Sequence, residues 1–253
     1  MVSISVVVPC RNDADMLAVC LRALAGQTRR ADEIIVVDNG STDATALVAV
    51  DAGARVIHEP VQGIARATAA GFDAASGDIL ARLDADSIPP ADWLERIERA
   101  LATAGGLAAV TGPGDFYGSS RLVAWLGRTL YIGGYFAFVG LLLGHPPLFG
   151  SNLALDAAVW GRVRHLVHTT TRQVHDDLDL SYQLRPDMTV IYDPRLRVAI
   201  SARPFDSWKA LGRRLGWSYT TFRLDFEQEP PLKRRAERRR WARARATDSA
   251  RSN

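Results

Sequence analysis

Polar and apolar positions in the first hundred residues alternate between two periods. Ser3–Val8 is an almost unbroken β-branched run, the pattern of a central parallel strand covered on both faces. From Asp13 to Gln27 the period changes, with Leu17, Cys20, Leu21 and Leu24 at helical spacing. The two patterns then repeat. Glu33–Val37 reads as a strand ending in Asp38, and Ser41 or Thr42 can cap a helix running to about Asp51. Arg55–His58 is a short strand, Gly63 opens a helix ending near Gly77, and Ile79–Leu83 is a further strand. Ala91–Ala104 is a helix with Trp93, Leu94, Ile97 and Leu101 inward, and Leu107–Thr111 is the next strand. Strands alternating with helices predict a mostly parallel α/β sheet flanked by helices, whose ligands bind beyond the carboxyl ends of the strands. Pro9–Asp13, Asp38–Asp43 and Asp84–Ser87 all fall at such ends.

The second half is less regular. Leu122–Leu143 is strongly apolar, but its longest uncharged stretch, Thr129 to Gly144, is 16 residues, short of the roughly 20 needed to span a bilayer. It is read as a buried or interfacial helix. Asp176–Leu184 reads as a helix, Thr189–Tyr192 and Leu196–Ile200 as strands, and Asp206–Phe222 as a last helix. The organisation expected is a regular α/β half over 1–112, a less regular half of the same domain over 113–225, and a basic tail over 226–253.

Composition adds little to this. With 253 residues, 47% hydrophobic and 23% charged, the chain is long enough for a full core, and disorder and collagen are excluded. Cys10 and Cys20 cannot make a disulfide framework or a four-ligand zinc site and are expected to be small buried fillers. The N-terminal segment has no basic region before its apolar strand, so a cytoplasmic protein is expected. Charge changes the picture more. Nine Lys/Arg between Lys233 and Arg251, opposed by Glu237 and Asp248, give that segment +7, whereas the whole chain is +3 and residues 1–232 are therefore −4. A basic tail on an acidic body suggests an electrostatic anchor rather than nucleic-acid binding.

The strand-end clusters carry the candidate chemistry. Asp84-Ala85-Asp86 places two carboxylates at a sheet mouth, a hard oxygen site suited to Mg²⁺ or Mn²⁺ shared with ligand phosphates, or a solvated turn. Asp38, before Asn39-Gly40-Ser41-Thr42-Asp43, can accept from a ribose hydroxyl or a base N–H, or simply cap a turn. Asp176-Asp177-Leu178-Asp179 opens a helix, where acids cap favourably or one serves as general base. His165, His168 and His175 show no metal-ligand spacing. Neither Gly-x-Gly-x-x-Gly nor Gly-Lys-Ser/Thr follows the first strand, which removes support for dinucleotide and Walker-type phosphate binding.

Together, and in this order, these segments resemble the inverting GT-A glycosyltransferases of family 2. Val6–Asp13 is similar to the family's first strand and loop, Glu33–Asp43 to its nucleotide loop, and Gly63-Ile64-Ala65-Arg66 to its third segment. Arg82-Leu83-Asp84-Ala85-Asp86 resembles its metal motif, Phe149–Leu155 its acceptor-side loop, and Asp176–Leu180 its catalytic-base segment. The resemblance covers roughly residues 3–205. It implies a GT-A, Rossmann-like sheet and transfer of one sugar from a nucleoside-diphosphate sugar to a sugar, lipid-linked or other hydroxyl acceptor, by single displacement. By the same resemblance Pro9, Arg11, Asp13, Asp38, Arg66 and Asp84 would contact the nucleotide, and Asp86, with Asp84, would hold Mn²⁺ or Mg²⁺. Gly150, Ser151 and Asn152 would lie on the acceptor and donor-sugar side, and Asp177, with Asp176 as the alternative, would be the base. Arg11 stands where relatives often carry Tyr, Ala67 where Asn is common, Asp176 where Glu is usual, and no His occurs near Ile200–Pro204. No Gln-x-x-Arg-Trp motif occurs, which points away from a processive synthase. The reading set against this one is a non-catalytic nucleotide-binding module with a degenerate GT-A fold. The apolar 122–143 segment and the basic tail suggest peripheral contact with an anionic membrane at the inner face of the plasma membrane, and nucleic acid is not expected as a partner.

Overall fold

The structure is a computed structural model and describes residues 2–118, 120, 125–203 and 208–251. The apolar strand at the N-terminus, β1 (Ile4–Cys10), is buried along its whole length. It pairs in parallel with β2 (Glu33–Asp38) on one side and β4 (Ile79–Arg82) on the other, and β2 pairs in parallel with β3 (Arg55–His58). Beyond β4 the sheet continues with β7 (Leu153–Asp156), β5 (Ala108–Thr111) and β8 (Thr189–Tyr192), in the order β3-β2-β1-β4-β7-β5-β8. A small second sheet joins β6 (Gly114–Tyr117) to β9 (Val198–Ser201) in parallel.

The two-residue alternation of β1 explains the layers. Ile4, Val6, Val8 and Cys10 face a core shared with α1 (Ala14–Ala25), α2 (Thr45–Asp51) and α4 (Trp93–Ala104). Val7 faces the opposite core, closed by α3 (Ile64–Ala74), α6 (Ala157–Val163) and α7 (Asp176–Gln183). Gly71 of α3 lies where any Cβ would overlap the Val7 side chain, so the helix can approach the sheet only with glycine there.

The first hundred residues follow the expected elements closely; the second half adds what periodicity did not show. Leu153–Asp156, read from sequence as the end of a loop, is strand β7, inserted antiparallel between β4 and β5. Its four residues are too few to display a period, and Leu153, Ala154 and Leu155 are buried. The apolar run becomes a π-helical turn (Gly127–Ile132) leading into α5 (Gly133–Leu143). Residues 122–124 of that run, and 206–207 of the last helix expected, lie outside the described residues. Among the described residues no helix is long and apolar enough to cross a membrane.

The last helix, α8 (Trp208–Gln228), runs past Phe222, and the basic segment forms a further helix, α9 (Pro231–Arg251). Phe222 and Phe226 of α8 close a small core with Val139, Leu143, Leu178 and Tyr182. Part of α9 is packed rather than solvated. Arg234 is 3% exposed, lies 4.4 Å over the Tyr182 ring and donates to the Leu184 carbonyl at 2.6 Å, as Arg238 does at 2.7 Å. Burial pushes the Arg238 guanidinium down to about 10.

Candidate functional site

Parallel pairing aligns the ends of β1, β2 and β4, so three loops open on one edge of the sheet. The first two brace each other. Asn12 takes a left-handed backbone (φ 53°), and its Oδ1 accepts the Thr42 N–H at 2.7 Å while its own N–H donates to Ser41 Oγ at 3.0 Å. Asp43 accepts the N–H groups of Ala14 and Thr45. Asp38 is buried beneath this loop, with Oδ1 accepting the Ser41 N–H at 2.9 Å and Oδ2 lying 3.1 Å from His58 Nδ1. Asn39, not singled out from sequence, ties in the next loop: Nδ2 donates to the Glu59 and Val61 carbonyls and Oδ1 accepts the Gly63 N–H.

Beside these loops is an open cleft of about 560 Å³, lined among others by Pro9, Arg11, Asn39, Gly63, Arg172 and Trp217. Of the expected nucleotide residues, Pro9 and Arg11 line it, whereas Asp13, Asp38, Arg66 and Asp84 do not. Arg66 is half-buried on α3. Trp217 and Arg172 belong to the irregular second half, and no spacing in the sequence marked them.

The acidic centre is built around Arg82, the last residue of β4 and 2% exposed. Its Nη2 lies 2.9 Å from Asp84 Oδ1 and 3.1 Å from Asp176 Oδ2. Thr68 of α3 donates to the same Asp176 oxygen at 2.6 Å. Asp176 and Asp177 open α7. Burial, with the neighbouring Asp177, holds the Asp176 carboxyl above its ordinary range against the pull of Arg82, and the surrounding acids hold the Arg82 guanidinium up. The Phe149–Ser151 turn links the two acidic groups. The Gly150 N–H donates to Asp177 Oδ2 at 2.9 Å, and Ser151 Oγ donates to Asp84 Oδ2 at 2.5 Å. A Cβ on Gly150 would overlap Arg82 and lie 3.1 Å from Asp177 Oδ2. Asn152 is brought near the chain of this site but not into it. It is fully buried, with Oδ1 accepting from Trp93 Nε1 at 2.8 Å and Nδ2 donating to the Leu196 carbonyl at 2.6 Å.

Asp86 stands on the outer side. Burial and the Asp84 charge push its carboxyl up, and Arg203 pulls it back. Arg203 donates from Nη1 and Nη2 to Asp13 at 2.6 and 2.7 Å and from Nη2 to Asp86 Oδ2 at 2.9 Å. Asp86 Oδ1 has no partner among the described residues. Carboxylate oxygens at a sheet mouth fit a hard divalent cation, so the donor chemistry at Asp86 and Asp84 suits Mg²⁺ or Mn²⁺. His168, Asp179 and Asp225 form a second group of ligand-type side chains. His168 Nδ1 is 2.9 Å from Asp179 Oδ1, and burial beside Asp179 pushes Asp225 up to about 9. That places an internally hydrogen-bonded joint between α7 and α8, where the sequence had shown no pattern.

The model of glycosyl transferase family 2 matches residues 5–150. The glycosyltransferase AglE of Haloferax volcanii is 35% identical over 119 residues, covering 44% of this chain and 36% of that protein. An uncharacterised glycosyltransferase of Mycobacterium tuberculosis is 39% identical over 110 residues, covering 44% of this chain and 48% of the relative. The matched stretch thus spans between about a third and a half of these curated relatives. Among solved structures, glucosyl-3-phosphoglycerate synthase from M. tuberculosis, in complex with Mn²⁺, UDP and phosphoglyceric acid, superposes with a TM-score of 0.62 at 23% identity. The superposition covers 88% of this chain and 78% of the synthase, a likeness of fold.

Proposed function

The chain belongs to glycosyl transferase family 2, and from that membership we propose that it transfers a single sugar from a nucleoside-diphosphate sugar to an acceptor hydroxyl, with inversion and with help from a divalent metal. One observation carries the reading. The adjacent residues Gly150 and Ser151 hold Asp177 and Asp84 respectively, so one turn spaces a carboxylate for proton transfer from the carboxylates of the donor side. Asp177 would take the proton from the acceptor hydroxyl as the anomeric bond inverts, and no covalent intermediate is required. The arrangement follows the logic of inverting glycosidases with a sugar or lipid hydroxyl in place of water. Asp176, engaged by Arg82 and Thr68, would position α7 rather than accept that proton. Asp86 and Asp84 would hold the metal, which when bound offsets charge on the departing diphosphate. Pro9 and Arg11 would line the nucleotide cleft, with the guanidinium of Arg11 stacking on a base. The Mn²⁺ and UDP of the M. tuberculosis synthase support a divalent ion and a nucleotide donor here.

The test is nucleotide release from a panel of UDP-, GDP- and dTDP-sugars with Mn²⁺ or Mg²⁺, since slow donor hydrolysis needs no known acceptor. Metal-dependent release from one donor, lost in Asp86→Ala and Asp177→Asn, is expected. Nucleotide binding without turnover, even with candidate acceptors, would instead fit a module that has lost catalysis.

We also propose peripheral contact with an anionic membrane. Trp125, just before the π-turn, and Leu130, Phe138 and Leu141 on the π-turn and α5 are more than half exposed, and Arg235 of basic α9 lines the same groove as Phe136, Leu141 and Tyr192. An apolar face beside basic side chains suits an interfacial surface, each Lys or Arg adding about 1 kcal/mol near anionic lipid. Flotation with anionic liposomes at low salt, released at high salt, is the expected result; no binding at low salt would refute it.

A further inference from the structure

The donor edge has an electrostatic problem that Arg203 is placed to solve. Asp84 faces the buried guanidinium of Arg82. Among the described residues, Asp13 and Asp86 pair with no lysine or arginine other than Arg203, which arrives just after β9, 190 residues after Asp13. A divalent ion on Asp86 would only bring these two carboxylates to neutrality, leaving no net attraction for a diphosphate. Arg203 makes the group positive, and an oriented fixed charge of that kind is what draws and holds an anionic donor.

The hydrogen-bond geometry agrees. Arg203 uses three of its five N–H groups on Asp13 and Asp86. Nε and the second N–H of Nη1 have no partner among the described residues, and the side chain is 45% exposed. The bidentate grip on Asp13 fixes the plane of the fork, which leaves those donors pre-oriented for phosphate oxygens. Arg203 touches only Oδ2 of Asp86, so Oδ1 stays open to a metal.

We propose that Arg203 is a ligand of the donor diphosphate, resting on the donor-site reading above: it holds Asp86 by one oxygen, leaves the other to the cation, and gives its remaining N–H groups to the phosphates. The experiment is calorimetric titration of wild type, Arg203→Gln and Arg203→Lys with whichever of UDP, GDP or dTDP binds most tightly, and with its parent nucleoside, in Mn²⁺ and in EDTA. Arg203→Gln is expected to weaken the diphosphate at least tenfold in both buffers with the nucleoside unchanged, and Arg203→Lys to fall between. Unchanged diphosphate affinity would overturn the inference while leaving the donor site intact. A loss confined to Mn²⁺ would overturn it too, since Arg203 would then act only through Asp86, and so would an equal loss of nucleoside. Wild type binding no nucleoside diphosphate would overturn both readings.

Discussion

Replacing Arg82 by Met tests whether the acidic centre is held together by one buried guanidinium. Arg82 is 2% exposed and faces Asp84 at 2.9 Å and Asp176 at 3.1 Å. The two acids differ in what replaces the lost partner. The Asp84 side chain is 36% exposed and can be hydrated, whereas that of Asp176 is 10% exposed and would keep only Thr68. The penalty therefore rests on Asp176, and removing one partner of a buried ion pair costs about 3–5 kcal/mol. Burial already raises the Asp176 pKa, and without Arg82 it rises further. A carboxyl whose folded pKa lies above its unfolded value contributes most below the unfolded pKa and loses that contribution as pH rises through the folded pKa. The destabilisation should thus be largest at neutral pH and shrink on acidification. Urea unfolding of wild type and Arg82→Met at pH 7.5 and 5.5 reads it directly, and Arg82→Met/Asp176→Asn should regain most of the loss at pH 7.5. A single variant within about 1 kcal/mol of wild type, or a penalty equal at both pH values, would refute the argument.

Three further outcomes follow. Gly150→Ala, whose methyl group would overlap Arg82, should lower sugar transfer by about 100-fold through displacement of the Asp177 carboxylate while circular dichroism stays native; transfer at the wild-type rate would show that the turn accommodates a side chain. Asp225→Asn should become progressively more stable than wild type as pH rises from 5 to 9, because a carboxyl pushed up to about 9 loses stability over that interval and the amide does not; parallel unfolding curves would contradict it. Cys10, pushed up to about 12 by burial, and Cys20, raised further by burial, should both resist a thiol reagent in the native protein and both react in denaturant.

The polar edge at the strand ends was legible because its geometry is local to strand ends. Once Ser3–Val8, Glu33–Val37 and Ile79–Leu83 are read as neighbouring parallel strands, the loops after them must share an edge, and Asp38, Asp84 and Asp86 follow from the polar residues that end each run. What was not legible depends on strand order across the two halves. Strand β7 enters between β4 and β5, and only that insertion carries Gly150 and Ser151 to Asp177 and Asp84. Arg203 meets Asp13 across 190 positions; Trp217 reaches the cleft from the last expected helix and Arg172 from a segment without a clear period, and neither residue's place there follows from its local pattern. Asn39 lay inside a motif read for its acids and its glycine, and the amide that ties the Gly63 loop was visible only as a residue type.

The same geometry supports the proposed choice between the two candidate bases. Asp176 Oδ2 is shared by Arg82 and Thr68, and its side chain is nearly closed to solvent. Any proton delivered to that oxygen would weaken the contact that keeps Arg82 in place. Asp177 is half-buried, and each of its oxygens accepts a single backbone N–H, from Gly150 and from Leu178. Those two donors fix the plane of the carboxylate and leave a lone pair on each oxygen for an incoming hydroxyl. A general base needs that combination of fixed orientation and an open acceptor. The proposed division of labour therefore has a structural basis in this pair: Asp176 anchors the N-terminus of α7 to the sheet through Arg82, and Asp177, the proposed base, keeps an accepting lone pair on each oxygen.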